Sequence, residues 1–225
     1  MYIFIDSADT DKLKTALDSF PVDGVTTNPT ILSREKRELM PLLAEIRSIC
    51  GERKMFVQAI SHNADEMIRE AHAICDKIGG NLCIKIPMTA QGIRAIMKLS
   101  SDGIETTATA VYSASQALIA AKAGAKFVAP YLSHLDNLSI DSAAAAGDMA
   151  KLIKLAGLET MVLAASFRTV EQVTRVIAAG AQAVTVTPEM LETMLKNPGT
   201  SAEIDSFDKN WSEVYGGNGI SQLLF

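Results

Sequence analysis

The sequence has little cysteine, no excess of basic charge and no long apolar run. Cys50, Cys75 and Cys83 are an odd set without CxxC spacing, so they read as reduced, buried thiols of a cytosolic protein rather than a disulfide framework. Lysine and arginine number 21 against 26 aspartates and glutamates, a net charge of -5, and no Lys/Arg block interrupts that balance. The basic stripe of a nucleic-acid-binding surface is therefore missing. The opening Met1-Tyr2-Ile3-Phe4-Ile5-Asp6 carries no basic n-region and has an acid at its sixth position, which is not how a signal peptide begins. No uncharged apolar stretch approaches the length of a membrane span. Together these features predict a soluble, cytoplasmic protein with neither nucleic acid nor membrane as a partner.

Other motifs are missing as well. No P-loop or dinucleotide fingerprint occurs, so no nucleotide cofactor is expected. His62 and His72 lie on or near an exposed helical pattern without HxxxH, HExxH or an acid cluster, and no metal site is predicted. No linker or low-complexity tract divides the chain. At 225 residues, 48% hydrophobic and 21% charged, it is expected to bury one full core as a single domain over residues 1–225.

What is present is a rhythm. Short apolar runs predict strands at Tyr2–Asp6, Gly24–Asn28, Met55–Ala59, Leu82–Ile86, Glu105–Thr109, Phe127–Tyr131, Met161–Ser166 and Ala183–Thr187. Between them, Ala/Leu/Met/Lys-rich stretches predict helices, among them Ala64–Ile78, Ala90–Leu99, Ser113–Ala123, Ser142–Leu155 and Val170–Ala179. Ser7-Ala8-Asp9-Thr10 reads as a helix start. Eight such units imply a parallel sheet and, in about 200 residues, a closed (β/α)8 barrel. A doubly wound open sheet is the alternative, but it usually has a glycine-rich turn after its first strand. Here that turn is Asp6-Ser7-Ala8-Asp9. An extra C-terminal helix over about residues 200–225 carries Phe207, Trp211 and Tyr215 at four-residue spacing. That face packs on its own barrel or docks on a neighbouring subunit, and the pattern alone does not choose.

Barrel enzymes work at the C-terminal ends of their strands, and polar residues gather there: Asp6, Thr26, Thr27, Asn28, Gln58, Lys85, Thr109, Tyr131 and Ser166. In Leu82-Cys83-Ile84-Lys85-Ile86-Pro87, alternation turns Ile84 and Ile86 toward the helices and Lys85 toward the axis. Lysine is almost never buried without a partner or a purpose. Desolvation favours its neutral, nucleophilic form, while a structural ion pair with Asp6 is the plainer alternative. Asp6 shares the inward face of its strand with Tyr2 and Phe4.

Several segments then fit a known pattern: Gly24-Val25-Thr26-Thr27-Asn28-Pro29-Thr30-Ile31, Ile84-Lys85-Ile86-Pro87-Met88-Thr89, Thr109-Ala110-Val111-Tyr112-Ser113, Val128-Ala129-Pro130-Tyr131, Ala164-Ala165-Ser166-Phe167-Arg168-Thr169 and Phe207-Asp208-Lys209-Asn210-Trp211. In that order the chain resembles, over essentially its whole length, the small transaldolase family and within it the fructose-6-phosphate aldolases. The resemblance implies a metal-free, cofactor-free class I mechanism acting on a small-molecule ketose or sugar phosphate. Lys85 would form an imine with the ketose C2 carbonyl, and the C3–C4 bond would break to give an aldehyde and a bound dihydroxyacetone enamine. Asp6 and Asn28 would hold hydroxyls of the three-carbon unit, with Thr26 beside them, while Gln58 and Thr109 position a water. Similar enzymes are decamers of two stacked rings whose C-terminal helix reaches a neighbour.

Two positions bear on the reaction type. Relatives that transfer the three-carbon unit to a second sugar carry Glu at the position of Gln58 and Phe at that of Tyr131. Glutamine cannot take a proton, so Tyr131 is expected to be the acid/base, which favours free aldolase chemistry over transaldolase chemistry. A third position departs from the family, which usually has an arginine three residues after Tyr131 to grip the substrate phosphate. This chain has His134 there: either His134 and Arg168 share that grip with Ser166, or the aldehyde is unphosphorylated or carries a different polar end.

Overall fold

A computed structural model describes residues 1–224. In chain order the elements are β1 (Tyr2–Asp6), α1 (Thr10–Ser19), β2 (Gly24–Thr26), α2 (Pro29–Arg34), α3 (Leu39–Cys50), β3 (Lys54–Gln58), α4 (Ala64–Ile78), β4 (Leu82–Pro87), α5 (Ala90–Ser101) and β5 (Thr106–Val111). There follow α6 (Ala114–Lys122), β6 (Phe127–Pro130), α7 (Leu132–Asn137), α8 (Ser142–Leu155), β7 (Met161–Ala164), α9 (Val170–Ala178), β8 (Ala183–Val186), α10 (Pro188–Leu195), α11 (Pro198–Tyr215) and α12 (Ile220–Leu223).

The strands follow one another around a closed barrel, and β1 pairs in parallel with both β2 and β8. Closure decides between the two architectures expected above: this is a (β/α)8 barrel, not an open doubly wound sheet. Helices α4 and α8 start and end where the sequence pattern puts them, and Asp9 caps α1 by accepting from the amides of Asp11 and Lys12. The strands are shorter than the apolar runs suggest at four places, one of them β8, which ends at Val186 rather than Thr187. β2 stops at Thr26 because Asn28 serves as the N-cap of α2, with Pro29 in its first turn. β6 stops at Pro130 because Tyr131 begins α7, and β7 stops at Ala164.

Alternation along the strands stacks the barrel interior in layers. The lower layer is apolar: Phe4, Phe56, Cys83, Phe127, Leu163 and Ala183 form one buried cluster. Its three phenylalanines meet edge to face, with ring centroids 4.8 Å (Phe4–Phe56), 5.5 Å (Phe56–Phe127) and 6.2 Å (Phe4–Phe127) apart, a favoured geometry for such rings. Two residues further along the same strands come Asp6, Gln58 and Lys85. The polar layer therefore rests on an aromatic floor. Of the cysteines, Cys50 and Cys83 are buried and Cys75 is partly so. Burial pushes the Cys83 thiol up to about 12, and it bonds Thr107 Oγ1 at 3.1 Å.

The chain resolves into two compact units: Met1–Met190, which holds the barrel, and the segment from Leu191 onward. In the latter, α11 buries none of its residues. Ile204, Phe207, Val214 and Tyr215 are all exposed, the Trp211 and Tyr215 rings lie 4.5 Å apart, and the Trp211 indole N–H donates to the Asn218 carbonyl at 2.8 Å. Among the described residues no helix is long and apolar enough to cross a membrane.

The strand that carries Lys85 is held by a close approach of α5. A Cβ at Gly92 would lie 2.0 Å from the Pro87 carbonyl oxygen and 3.2 Å from Ile86 Cγ2, so only glycine lets the helix settle there. Gly92→Ala should force the two elements apart and cost about 1–3 kcal/mol. Thermal unfolding should show a fall of roughly 2–12 °C for a chain of this size, and an unchanged midpoint would mean the contact is loose in solution.

Candidate active site

Lys85 sits on β4 with 6% of its surface exposed, and its amine donates to the Thr27 carbonyl at 2.8 Å. Burial holds its pKa below the usual lysine range, opposed by the attraction of Asp6. The Asp6 carboxyl is raised by the same desolvation, against the pull of Lys85 and the hydrogen bond from Thr26. Thr26 donates to Asp6 Oδ1 at 2.7 Å, and its hydroxyl also lies 2.6 Å from Thr185 Oγ1. The plainer sequence reading, in which Lys85 exists to neutralise Asp6, fits poorly. Each takes its hydrogen bond elsewhere, and burial disfavours the charged form of both.

Beside the lysine strand, where Thr109 pairs with Pro87, the barrel mouth is built from hydroxyls and rings. Thr109 Oγ1 and Tyr131 Oη are 2.8 Å apart. Burial raises the Tyr131 pKa, with the Thr109 bond opposing, so the phenol keeps its proton. Just beyond Thr109 the β5–β6 register shifts and Ala110 adopts φ 58°, a left-handed conformation that a non-glycine residue holds only against strain. Ser166 does the same at φ 64° after β7, and its hydroxyl lies 2.6 Å from that of Ser133. Tyr112, half-buried after the bulge, hydrogen-bonds His134 Nδ1 at 3.0 Å, and the His134 and Tyr131 rings meet nearly at right angles, 5.4 Å between centroids.

The structure thus brings together most of the expected residues. Gln58 and Lys85 are register partners on β3 and β4, and Thr26, Asp6 and Lys85 share one electrostatic neighbourhood. Asn28 has a second job. Its side-chain oxygen accepts from the Ile31 amide at 3.0 Å, which leaves its amide nitrogen as a free donor among the described residues. Arg168 is less closely engaged: it is exposed, and its guanidinium donates to Asn137 Oδ1 at 3.0 Å. Sequence reasoning passed over Thr185, Thr27 as a carbonyl acceptor, Ser133 and Tyr112. Thr185 could have been found, because alternation puts it inward two residues after the buried Ala183. Among the described residues, no group of three or more His, Cys, Asp or Glu side chains is arranged to hold a metal ion.

The opposing effects on Lys85 give a direct test. Asp6→Asn removes the larger of the two influences that raise the amine's pKa while keeping a partner for Thr26. The pH at which Lys85 reaches half its maximal rate of acetic anhydride labelling, followed by peptide mass spectrometry, should move lower. A midpoint that stays or rises would mean Asp6 does not act on the amine through charge.

Comparison with known proteins adds to this picture. A sequence model of the transaldolase/fructose-6-phosphate aldolase family matches residues 3–217. A protein of Symbiobacterium thermophilum described as a probable transaldolase is 38% identical over 216 residues, spanning 96% of this chain and 99% of that one. Among solved structures, thiamine phosphate pyrophosphorylase from Pyrococcus furiosus superposes with a TM-score of 0.62 at 12% identity, over 86% of this chain and 93% of its own. Inosine 5'-monophosphate dehydrogenase from Legionella pneumophila gives 0.60 at 11%, over 84% of this chain and 58% of that one. At such identities these two likenesses are of fold alone.

Proposed function

The chain belongs to the transaldolase/fructose-6-phosphate aldolase family, and from that premise we propose that it is a class I aldolase that makes and breaks the C3–C4 bond of a ketose such as fructose 6-phosphate. The observation that carries this reading is the buried Lys85 amine, held toward its neutral form on the strand beside Gln58. Lys85 condenses with the C2 carbonyl, releasing water and forming an imine that draws electrons from C3. Asp6 and the free amide nitrogen of Asn28 hold hydroxyls of the three-carbon unit, with Thr26 orienting the Asp6 carboxyl. The C4 hydroxyl loses its proton as the bond breaks, and the products are a free aldehyde, such as glyceraldehyde 3-phosphate, and the enamine of dihydroxyacetone on Lys85. Tyr131, with Thr109, carries the proton between that oxygen and a water positioned by Gln58. Ser166, His134 and Arg168 line the side taken by the aldehyde. Reprotonation of the enamine and hydrolysis then release dihydroxyacetone and regenerate the amine.

A second reading, a transaldolase that passes the dihydroxyacetone unit to another sugar phosphate, is favoured by the name of the Symbiobacterium thermophilum relative. Gln58 weighs against it, since an amide supplies no carboxylate base for the water. The first experiment is borohydride reduction in the presence of dihydroxyacetone or fructose 6-phosphate, followed by peptide mapping. An adduct on the Lys85 peptide, absent in Lys85→Ala, is expected; an adduct that survives that substitution would overturn the mechanism. Tyr131→Phe should slow cleavage by about 10²–10⁴-fold and leave adduct formation nearly intact. Cleavage of fructose 6-phosphate without any second sugar is expected of an aldolase, and strict dependence on erythrose 4-phosphate of a transaldolase.

We also propose that the protein works as a homodecamer of two five-membered rings in the cytoplasm, with α11 docking on a neighbouring copy. Its fully unburied length and exposed Ile204, Phe207, Val214 and Tyr215 form an apolar face too large to leave wet without reason. A chain ending at Asn197 should fall to a smaller assembly in light scattering. An unchanged mass would leave α11 with no part in assembly.

A further inference from the structure

Tyr112 has no part in the chemistry proposed above, yet it pairs with His134 and both rings border Tyr131. The geometry of the pair has a consequence for which ring nitrogen carries a proton. Tyr112 Oη lies 3.0 Å from His134 Nδ1, and the two rings are nearly parallel, 17° between planes at a centroid separation of 6.4 Å. A phenol is the stronger donor of the two and imidazole nitrogen the stronger acceptor, so the better match has the tyrosine hydroxyl donating to Nδ1. The neutral ring then carries its hydrogen on Nε2. If the ring takes up a second proton, Nε2 still carries one. In either form Nε2–H is a donor at the exposed rim of the barrel mouth, and the described residues give it no hydrogen-bond partner. The neighbouring groups are already engaged: Ser133 with Ser166, the Arg168 guanidinium with Asn137, and Tyr131 with Thr109.

We propose that Tyr112 is a specificity-determining positioning residue: it fixes the His134 ring so that Nε2–H binds an oxygen at the far end of the aldehyde. The ligand chemistry is an acceptor oxygen, from either a hydroxyl or a phosphate. This rests on the aldolase reading for the identity of the ligand, but not for the state of the ring. The bond made by Nε2–H belongs to the aldehyde half of the reaction, because His134 packs against Tyr131, which handles the C4 hydroxyl proton in the proposed chemistry.

Two measurements test it. Long-range proton–nitrogen NMR of His134 reports the tautomer without turnover: the wild type should show hydrogen on Nε2, and Tyr112→Phe should lose that bias. Kinetics then follow addition of dihydroxyacetone to glyceraldehyde and to glyceraldehyde 3-phosphate, alongside borohydride trapping of dihydroxyacetone alone. His134→Leu and Tyr112→Phe should each raise the aldehyde KM by about 3–10-fold, the worth of one hydrogen bond, with trapping unchanged. His134→Gln, whose amide can place an N–H near the Nε2 position, should recover most of the loss. Because Tyr112 acts through the ring, adding Tyr112→Phe to His134→Leu should cost nothing more. Loss with both aldehydes identifies a hydroxyl as the acceptor, and loss with the phosphorylated one alone identifies the phosphate. An aldehyde KM unmoved by His134→Leu, additive losses in the double variant, or trapping that falls in step with KM would overturn the proposal. A wild type that shows the Nε2–H tautomer but traps no dihydroxyacetone would remove the aldolase reading and the aldehyde with it, leaving the positioning of the ring established.

Discussion

The Lys85 amine is kept out of water by the closure of the barrel around it, and most of what is distinctive in the site follows from that. An open sheet would leave an edge through which solvent reaches a residue on an inner strand. Here every strand has two neighbours, and the Phe4, Phe56 and Phe127 rings seal the barrel below. Desolvation penalises ammonium and carboxylate alike, which is why Lys85 and Asp6 shift in opposite pKa directions although each attracts the other's charged form. Coulombic attraction within the pair only partly offsets the loss of water. The lower layer of aromatic packing and the upper layer of titratable groups are thus one arrangement, two residues apart on the same strands.

Backbone strain is concentrated where the polar residues must be aimed. Among the described residues, four non-glycine positions have positive φ, and two of them, Ala110 and Ser166, lie just past the ends of strand interiors at the barrel mouth. Each such residue costs roughly 1–2 kcal/mol. At Ala110 the strain accompanies the register shift between Thr109 and Val111. That shift lets Thr109 bond the Tyr131 hydroxyl while Tyr112, three residues on, bonds His134. A regular strand would place residues 109 and 111 on one face and 110 and 112 on the other, and could not serve both contacts.

Much of this was legible in the sequence because alternation is a strong constraint in a small barrel. A lysine between Ile84 and Ile86 had to point inward, and the same arithmetic placed Asp6 above Phe4 and Gln58 above Phe56. The helices were legible where caps and apolar faces agreed, as for α4 and α8. What stayed hidden depends on contacts between segments far apart in sequence. Nothing near Arg168 shows that its guanidinium bonds Asn137, 31 residues earlier, nor does the sequence around Tyr112 foretell a partner 22 residues later. The bulge at Ala110 breaks the periodicity on which the reading relied, and Asn28 looks like a strand end until its oxygen is seen capping α2.

The three groups most able to move protons, Lys85, Asp6 and Tyr131, are each pushed by burial toward their uncharged forms. In the proposed chemistry the first charge to develop is the protonated imine on Lys85, and it develops where water is scarce and the local dielectric low. There a carboxyl such as Asp6 has most to gain by ionising, because a cation nearby at low dielectric is worth far more than the same cation in water. Imine formation would therefore lower the pKa of Asp6 and favour its charged form while the intermediate exists. On this argument the burial that raises the pKa of Asp6 in the free protein is best offset when a cation forms beside it.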